Sequence, residues 1–508
     1  MLKARVRTIC PLDCLLRIRR RTRMTDLDVR RTVLLTGATG NWGRATLREF
    51  RGHPEYLVLA FARPTDADRE VLQEFADMEN LEVVWGDLSN YVDVLRAVGR
   101  ADVVLHVGAI VSPLADIHPQ LAWRVNIGSM QNLIRAVKAQ PDPSAISVVG
   151  IGSVAETGDR QAPVHWGRVG DPLRVSRFDE YGQTKIVAER LLIESGLPRW
   201  AWLRQTGIFH PGMLEIRDPI MTHSPFNGVM EWASAEDSAR LLVGVSSPDV
   251  PTEFWGGIYN IGGGEGWRLT NWQLQVALGA AMGVHDIRRW YDRNWFALQN
   301  FHGQWYSDSD RLDSLVPYRQ DTFADAVERA VDAAPSSVRS AGKVPAWIVK
   351  NLVMRPLARK PRGTMAAIAQ GDSEAIDAYF GSKEAWLAIG DWDTFIPPSP
   401  SREVTLLDHG YDESTPPSRW TTLDYMEAAT FRGGELVSPV AGDHTAPLVW
   451  RCAFDHVFAA SPRLVLRAGH WCPECVRDTE GYARQAQRNP FLAQAELSFI
   501  APANPATS

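Results

Sequence analysis

Directly behind the apolar run Val33-Leu34-Leu35 stands Thr36-Gly37-Ala38-Thr39-Gly40-Asn41-Trp42-Gly43, and an amphipathic stretch opens at its end. A strand, a tight turn and a helix are written this way. Glycines three apart let the chain turn sharply, admit backbone amides close to a pyrophosphate, and bring the helix against the sheet. The segment therefore favours folds that set a strand end against a helix N-terminus, and a dinucleotide is the ligand such a turn suits. A single triplet of this kind is common, so its weight depends on the residues downstream.

Apolar runs at 33–36, 56–62, 81–85, 103–107 and 145–150 alternate with helical periodicity. Strands alternating with helices imply right-handed crossovers and a parallel sheet. The fold class expected is α/β: a Rossmann-type doubly wound parallel sheet with a smaller substrate lobe, followed by a helical extension and a small zinc-binding module. With 508 residues, 45% of them hydrophobic, the chain can bury a large core. The boundaries expected are a basic, disordered tail over 1–30, the sheet domain with its lobe over 31–321 (the lobe mainly from 204), a helical extension over 322–396, a linker or arm over 397–432, and the zinc-ribbon-like module with its tail over 433–508. Met24, ahead of the first core strand, is a second candidate start.

The net charge of -6 gives no global attraction to nucleic acid or an acidic membrane, so such binding would need a local patch. No apolar run reaches the length of a membrane span. The expectation is a cytoplasmic protein with a small-molecule substrate and neither membrane nor nucleic acid as partner. Of five cysteines, three stand near the end, which suits a reducing compartment and a metal site better than a disulfide framework.

Each strand end carries a residue with chemical meaning. The second run ends in Arg63, which suits the 2'-phosphate of NADP over the free hydroxyl of NAD. Gly86-Asp87-Leu88 places a carboxylate where an adenine amino group can donate to it. His106-Val107-Gly108-Ala109 brings small residues that leave room for ribose and pyrophosphate, with His106 read as a core histidine. Asn126 is marked as a polar bridge on the next helix.

Ser153 follows the fifth run, and Tyr181-Gly182-Gln183-Thr184-Lys185 opens a helical pattern that puts Tyr181 and Lys185 on one face. A phenol with a reference pKa near ~10 is a poor acid or base at neutral pH, but a nearby ammonium favours the phenolate. In this reading Tyr181 exchanges a proton with the substrate oxygen, Ser153 holds that oxygen, Lys185 tunes the tyrosine and binds the nicotinamide ribose, and the cofactor carries the hydride.

In these motifs the chain resembles an extended short-chain dehydrogenase/reductase of the NAD-dependent epimerase/dehydratase family, over about 31–312. The likeness continues through Leu203-Arg204-Gln205-Thr206-Gly207, His210-Pro211, Glu231-Trp232-Ala233 with Asp237, and Tyr259-Asn260-Ile261-Gly262-Gly263. The resemblance implies that Ser153, Tyr181 and Lys185 are the catalytic triad and that Gly37, Gly40, Gly43, Asp87 and Leu88 contact the cofactor. Thr39, Asn41 and Trp42 of the turn, with Arg63, Gly108, Ala109 and Asn126, complete the candidate cofactor set. It also implies a substrate lobe after Leu203 and a homodimer. The segment Val154-Ala155-Glu156-Thr157-Gly158 lacks the family's tyrosine before the glycine, and the acidic pair of sugar-nucleotide dehydratases is absent beside Ser153.

The lobe's aromatics, among them Phe226, Trp290, Tyr291, Trp295 and Phe296, either line an apolar pocket or build a core. A diphosphate site would have to be assembled from Arg204, Arg217, Arg288 and Arg289. An apolar or aromatic ketone or alcohol is thus favoured over a nucleotide sugar. The leading reading is an NAD(P)-dependent oxidoreductase. Its rivals are a nucleotide-sugar epimerase retaining NAD, and a non-catalytic dinucleotide-sensing scaffold with a partner-binding zinc module.

Near the end, Cys452 and His456 form one pair and Cys472 and Cys475 a second. CxxxH followed by CPxC can close a tetrahedral Cys3His site for Zn2+, with His470 as the alternative to His456. The module, over 433–480, resembles a zinc ribbon or treble clef. Four protein ligands leave no open position, so the metal would be structural.

Overall fold

The computed structural model describes residues 30–215, 218–439 and 443–496. The basic tail, Met24 and Arg217 lie outside them. Seven parallel strands form the main sheet: β1 (Arg31–Thr36), β2 (Tyr56–Ala62), β3 (Leu81–Trp85), β4 (Val103–His106), β5 (Ser147–Ser153), β6 (Trp200–Gln205) and β7 (Gly257–Ile261). Their order is β7-β6-β5-β4-β1-β2-β3. The strand order reverses between β1 and β4, which makes the crevice beyond their carboxyl ends the place where ligands bind in such sheets.

Both faces of the sheet are covered, so its strands read as near-continuous apolar runs. Along β1, Val33 and Leu35 enter one core while Leu34 enters the other, the two-residue alternation of a strand. Helices α1 (Asn41–Phe50), α2 (Asp66–Gln73), α3 (Tyr91–Val98), α4 (Gly128–Lys138) and α5 (Glu180–Ile193) supply the covering layers. They are the crossovers that the sequence periodicity implies.

The lobe's aromatics form cores of their own. Phe226, Trp290, Tyr291, Trp295 and Phe296 cluster with Val349 and Ala358 of the helical extension. Phe209, Trp267 and Leu274 cluster with Ala326 and Ala330. Large rings bury wherever they meet one another, and here they hold the extension onto the lobe.

The stretch 397–432 is not a free linker. It runs back along the sheet domain, where the Ser401 carbonyl accepts from His165 Nε2 at 2.8 Å and the Leu407 carbonyl from Arg168 Nη2 at 2.8 Å. It ends in the helix Thr422–Phe431. The terminal module carries a three-stranded antiparallel sheet, β8 (Glu435–Leu436), β9 (Leu448–Arg451) and β10 (Val457–Ala460). Trp450, Leu464 and Leu466 share one core with Leu192 of α5 and Trp200 and Trp202 of β6. The module is therefore packed against the sheet domain rather than tethered to it.

Candidate active site and metal centre

At the end of β1 the chain turns through Gly37, whose φ of +69° suits a residue without Cβ. A Cβ on Gly37 would lie 2.7 Å from the Gly108 backbone beyond β4, and one on Gly43 would lie 2.1 Å from the Gly37 carbonyl. The glycines thus hold the two strand ends and the first turn of α1 in a contact no side chain permits. The N-cap of α1 is Gly40, without a side-chain cap bond, so its first amides are left for an anion. This cradle fits a pyrophosphate.

Around it the cofactor candidates take different parts. Thr39 Oγ1 donates to Asp68 at 2.7 Å, and Arg63 Nε reaches the same carboxylate at 3.1 Å while its side chain stays 64% exposed. The Trp42 ring is buried in the sheet core, so only its backbone faces the turn. Asn41 accepts from Arg44 at 3.0 Å. Asp87 is exposed at the end of β3, accepting from Ser89 N at 2.7 Å. Leu88 packs toward Gly108, where a Cβ would come within 2.9 Å of its Cδ1.

Asn126 sits in a π-helical turn, Trp123–Ile127. Its carboxamide accepts from Ile110 N at 2.7 Å and donates to the Ile110 carbonyl and to Thr184 Oγ1, both at 2.9 Å. Its carboxamide thereby joins the loop after β4 to α5. His106 bridges Thr36 Oγ1 at 2.9 Å and Ser129 Oγ at 3.1 Å; burial, with the charge of Lys185, pulls its pKa to about 3, so it stays neutral.

The structure brings Ser153, Tyr181 and Lys185 together. Asp179 caps α5 by accepting from Gly182 N at 2.8 Å. Gly182 lets that helix end close on the turn after β5, since a Cβ there would stand 3.0 Å from the Ala155 carbonyl. Burial, with the charge of Asp179 adding to it, lifts the Tyr181 phenol above its ordinary range, and Ser153 acts the other way. Lys185 Nζ donates to the Ile151 carbonyl at 2.7 Å and lies 5.6 Å from the centroid of the Tyr181 ring. Burial lowers its pKa to about 8. Burial rather than Lys185 dominates the Tyr181 phenol and keeps it neutral at physiological pH.

Beneath Ser153 lies a buried charge cluster that sequence reasoning missed. Glu156 accepts from Ser153 N at 2.8 Å, closing a Ser-x-x-Glu capping box. Arg204 grips Glu189 through two bonds of 2.9 and 2.7 Å and reaches Glu156 at 3.4 Å. Burial pushes Glu156 far up, with Glu189 adding to it, so it carries a proton. Burial also pulls Glu189 up, but Arg204 outweighs it and Glu189 stays ionised. Arg204 is therefore no diphosphate ligand, and exposed Arg288 is paired with Asp286.

A cavity of about 370 Å³ lies between the sheet domain, the lobe and the extension. Asp179, two residues before Tyr181, lines it with Asp116, Phe178, Phe301, His302 and Tyr379. His302 Nδ1 lies 3.1 Å from Asp179. Burial, followed by the charge of Asp179, raises Asp116 to about 6.

Cys452, His456, Cys472 and Cys475 converge, with donor atoms all within 4.8 Å of one another. Zinc bonds of ~2.3 Å to sulfur and ~2.0–2.1 Å to nitrogen give tetrahedral edges of about 3.8 Å between sulfurs and about 3.6 Å between sulfur and nitrogen. The Cys452–Cys475 sulfurs are 3.8 Å apart, and His456 Nδ1 is 3.4 Å from the sulfurs of both Cys472 and Cys475. The amides of Phe454 and Cys475 point at Cys452 and Cys472 sulfurs, each at 3.4 Å. The donor set fits zinc. His470 is excluded from it, being buried against Glu189 at 3.2 Å.

Among curated proteins, 28% identity over 218 residues links the chain to a glycine betaine reductase of Emericella nidulans, covering 38% of this chain and 17% of that protein. A 3-beta-hydroxysteroid dehydrogenase of Mycolicibacterium neoaurum shares 29% over 227 residues, 41% of this chain and 54% of its own length. The match thus spans between 17% and 54% of these relatives. The UDP-glucuronic acid 4-epimerase of Bacillus cereus, solved with UDP-glucuronic acid and NAD, aligns at 20% identity and a TM-score of 0.47 over 59% of this chain and 98% of that one. The profile of one family matches the β1 to α5 region and the turn after it, which holds the glycine cradle, Ser153, Tyr181 and Lys185. Residues 33–197 match the model of the NAD dependent epimerase/dehydratase family.

Proposed function

We propose that the protein is an NAD(P)-dependent oxidoreductase that interconverts a ketone and a secondary alcohol. The observation carrying this reading is Ser153 at the carboxyl end of β5 beside Tyr181, with Lys185 one helical turn on and 5.6 Å from the centroid of the Tyr181 ring. A nicotinamide cofactor, held by the Gly37–Gly43 cradle, Asp87, Leu88, Gly108, Ala109 and Lys185, would supply or accept the hydride. In reduction, Tyr181 gives its proton to the carbonyl oxygen as charge develops there, and Ser153 donates a hydrogen bond to the same oxygen. In oxidation the proton returns. Exposed Arg63 favours NADP, its terminal nitrogens being free to meet a 2'-phosphate.

The cavity beside Asp179 mixes Phe178, Phe301 and Tyr379 with Asp116 and His302. That lining supports a ring-bearing carbonyl or alcohol with polar substituents, less apolar than the count of lobe aromatics suggests. The names of the reductase and dehydrogenase relatives support hydride transfer. Zn2+ at Cys452, His456, Cys472 and Cys475 would be structural, since no ligand position stays open.

The test monitors NADPH at its absorbance while a panel of cyclic ketones is offered. Net oxidation of NADPH is expected for at least one class. An enzyme that keeps its cofactor through gel filtration and turns over with no net absorbance change would be an epimerase, and the reading would fail.

A further inference from the structure

In a chain of net charge -6, residues 333–371 hold no aspartate or glutamate, yet they carry seven lysines and arginines. Lys350 and Arg355 are paired with Asp292, and Arg362 with Asp116. Arg339, Lys343, Arg359 and Lys360 are exposed, and among the described residues they make no ion pair. The excess charge is thus offered to the outside.

The same segment presents apolar side chains that the fold does not cover. Residues 346–358 form one continuous helical run. Val349, Leu357 and Ala358 on its inner side are buried, two of them in the aromatic core with Phe226 and Trp290. On its outer side Trp347 is 65% exposed and Leu352 67%, with Val353 and the preceding Val344 also exposed. A helix apolar on both sides is ordinarily buried on both. Here one side is left open and rimmed with cations, the composition of a helix that lies in a membrane interface.

We propose that this face, built on residues 339–360, docks the protein peripherally on an anionic lipid bilayer. Trp347, Leu352 and Val353 enter the headgroup boundary, and Arg339, Lys343, Arg359 and Lys360 meet the lipid phosphates. No helix of the described residues is long and apolar enough to cross a membrane, so the contact is one of lying on the surface. Two other occupants are disfavoured by charge. A second copy related by a two-fold axis would set cations against cations, and the N-terminal residues of the chain are themselves rich in arginine. Arg362 and Gly363, where the segment ends, line the cavity beside Asp179, so the docked surface adjoins the proposed substrate site.

Sedimentation of the full chain with phosphatidylcholine vesicles, with and without phosphatidylglycerol, tests the proposal. Binding is expected only with the anionic lipid and weakens as salt is raised. Each interfacial cation contributes about fivefold in affinity, so Lys343→Gln/Arg359→Gln/Lys360→Gln should lose about a hundredfold. Trp347→Ser/Leu352→Ser should abolish the binding that survives at higher salt. All these side chains are exposed, and both variants should melt with the wild type and keep its NADPH affinity. Failure to sediment with anionic vesicles would overturn the proposal, as would equal binding to neutral ones. A dimer that Trp347→Ser/Leu352→Ser converts to monomer would also overturn it, by showing that a second copy covers the face.

Discussion

Tyr181→Phe should lower turnover by about 10²–10⁴, the range for losing a positioned general acid, while NADP(H) affinity stays within about twofold. The change removes one oxygen. The ring remains on the face of α5 that carries Lys185, so folding should be little affected. Loss of rate without loss of binding or of the thermal midpoint separates a proton donor from a packing residue. Stopped single turnovers with premixed cofactor would make the comparison free of product release. A variant that reacts as fast as the wild type would remove Tyr181 from the mechanism and leave the Ser153–Lys185 arrangement without its acid.

Metal content should be one zinc per chain, and Cys472→Ser should lose it together with much of the stability of the terminal third. Structural zinc in small domains binds with an apparent ~10–16 kcal/mol, most of it expressed as folding. The effect should spread beyond the module, because Trp450, Cys452 and Leu464 share a core with Leu192 and Trp202. His470, two residues before Cys472, also contacts Glu189, which Arg204 pairs beneath Ser153. Stripping zinc with a chelator should therefore lower the melting midpoint of the whole chain by about 10 °C or more, as a loss of several kcal/mol implies. A metal-free protein that melts unchanged would show that the three cysteines and His456 are merely buried neighbours.

How much of this was written in the sequence depends on the range over which each signal acts. The strands β1 to β5 stand close to where the apolar runs put them, because a strand buried on both faces needs little more than a run of Val, Leu and Ile between polar breaks. The glycine turn was legible for a steric reason, since Gly37 and Gly43 touch backbone that any Cβ would strike. Tyr181 and Lys185 were legible because helical spacing of four fixes their shared face. The convergence of Cys452, His456, Cys472 and Cys475 was legible because CxxxH and CPxC are spacings that suit a shared metal.

What remained hidden was set by partners far along the chain. Arg204 reads as a free cation until Glu189 and the Ala468 carbonyl are seen to enclose it. His470 stands as an alternative to His456 until its imidazole is found against Glu189. The aromatics of the lobe read as core before pocket, but the helical extension that completes that core lies more than a hundred residues after Phe226. Glu156 had a local signal, the Ser-x-x-Glu spacing of a capping box, but its buried, protonated state depends on Glu189. The phenol of Tyr181 shows the same division: its neighbour Lys185 was predictable, whereas the burial that raises the phenol belongs to the folded surroundings.

Hydride transfer beside Tyr181 is the step on which the proposed activity stands. NADPH carrying deuterium on the transferring position of its nicotinamide, turned over with a ketone that the wild type reduces, offers the most direct test by mass spectrometry of the alcohol. One deuterium on the carbinol carbon of each product molecule is the result predicted. Product alcohol without deuterium, or label that stays on the cofactor while the substrate changes configuration, would contradict it.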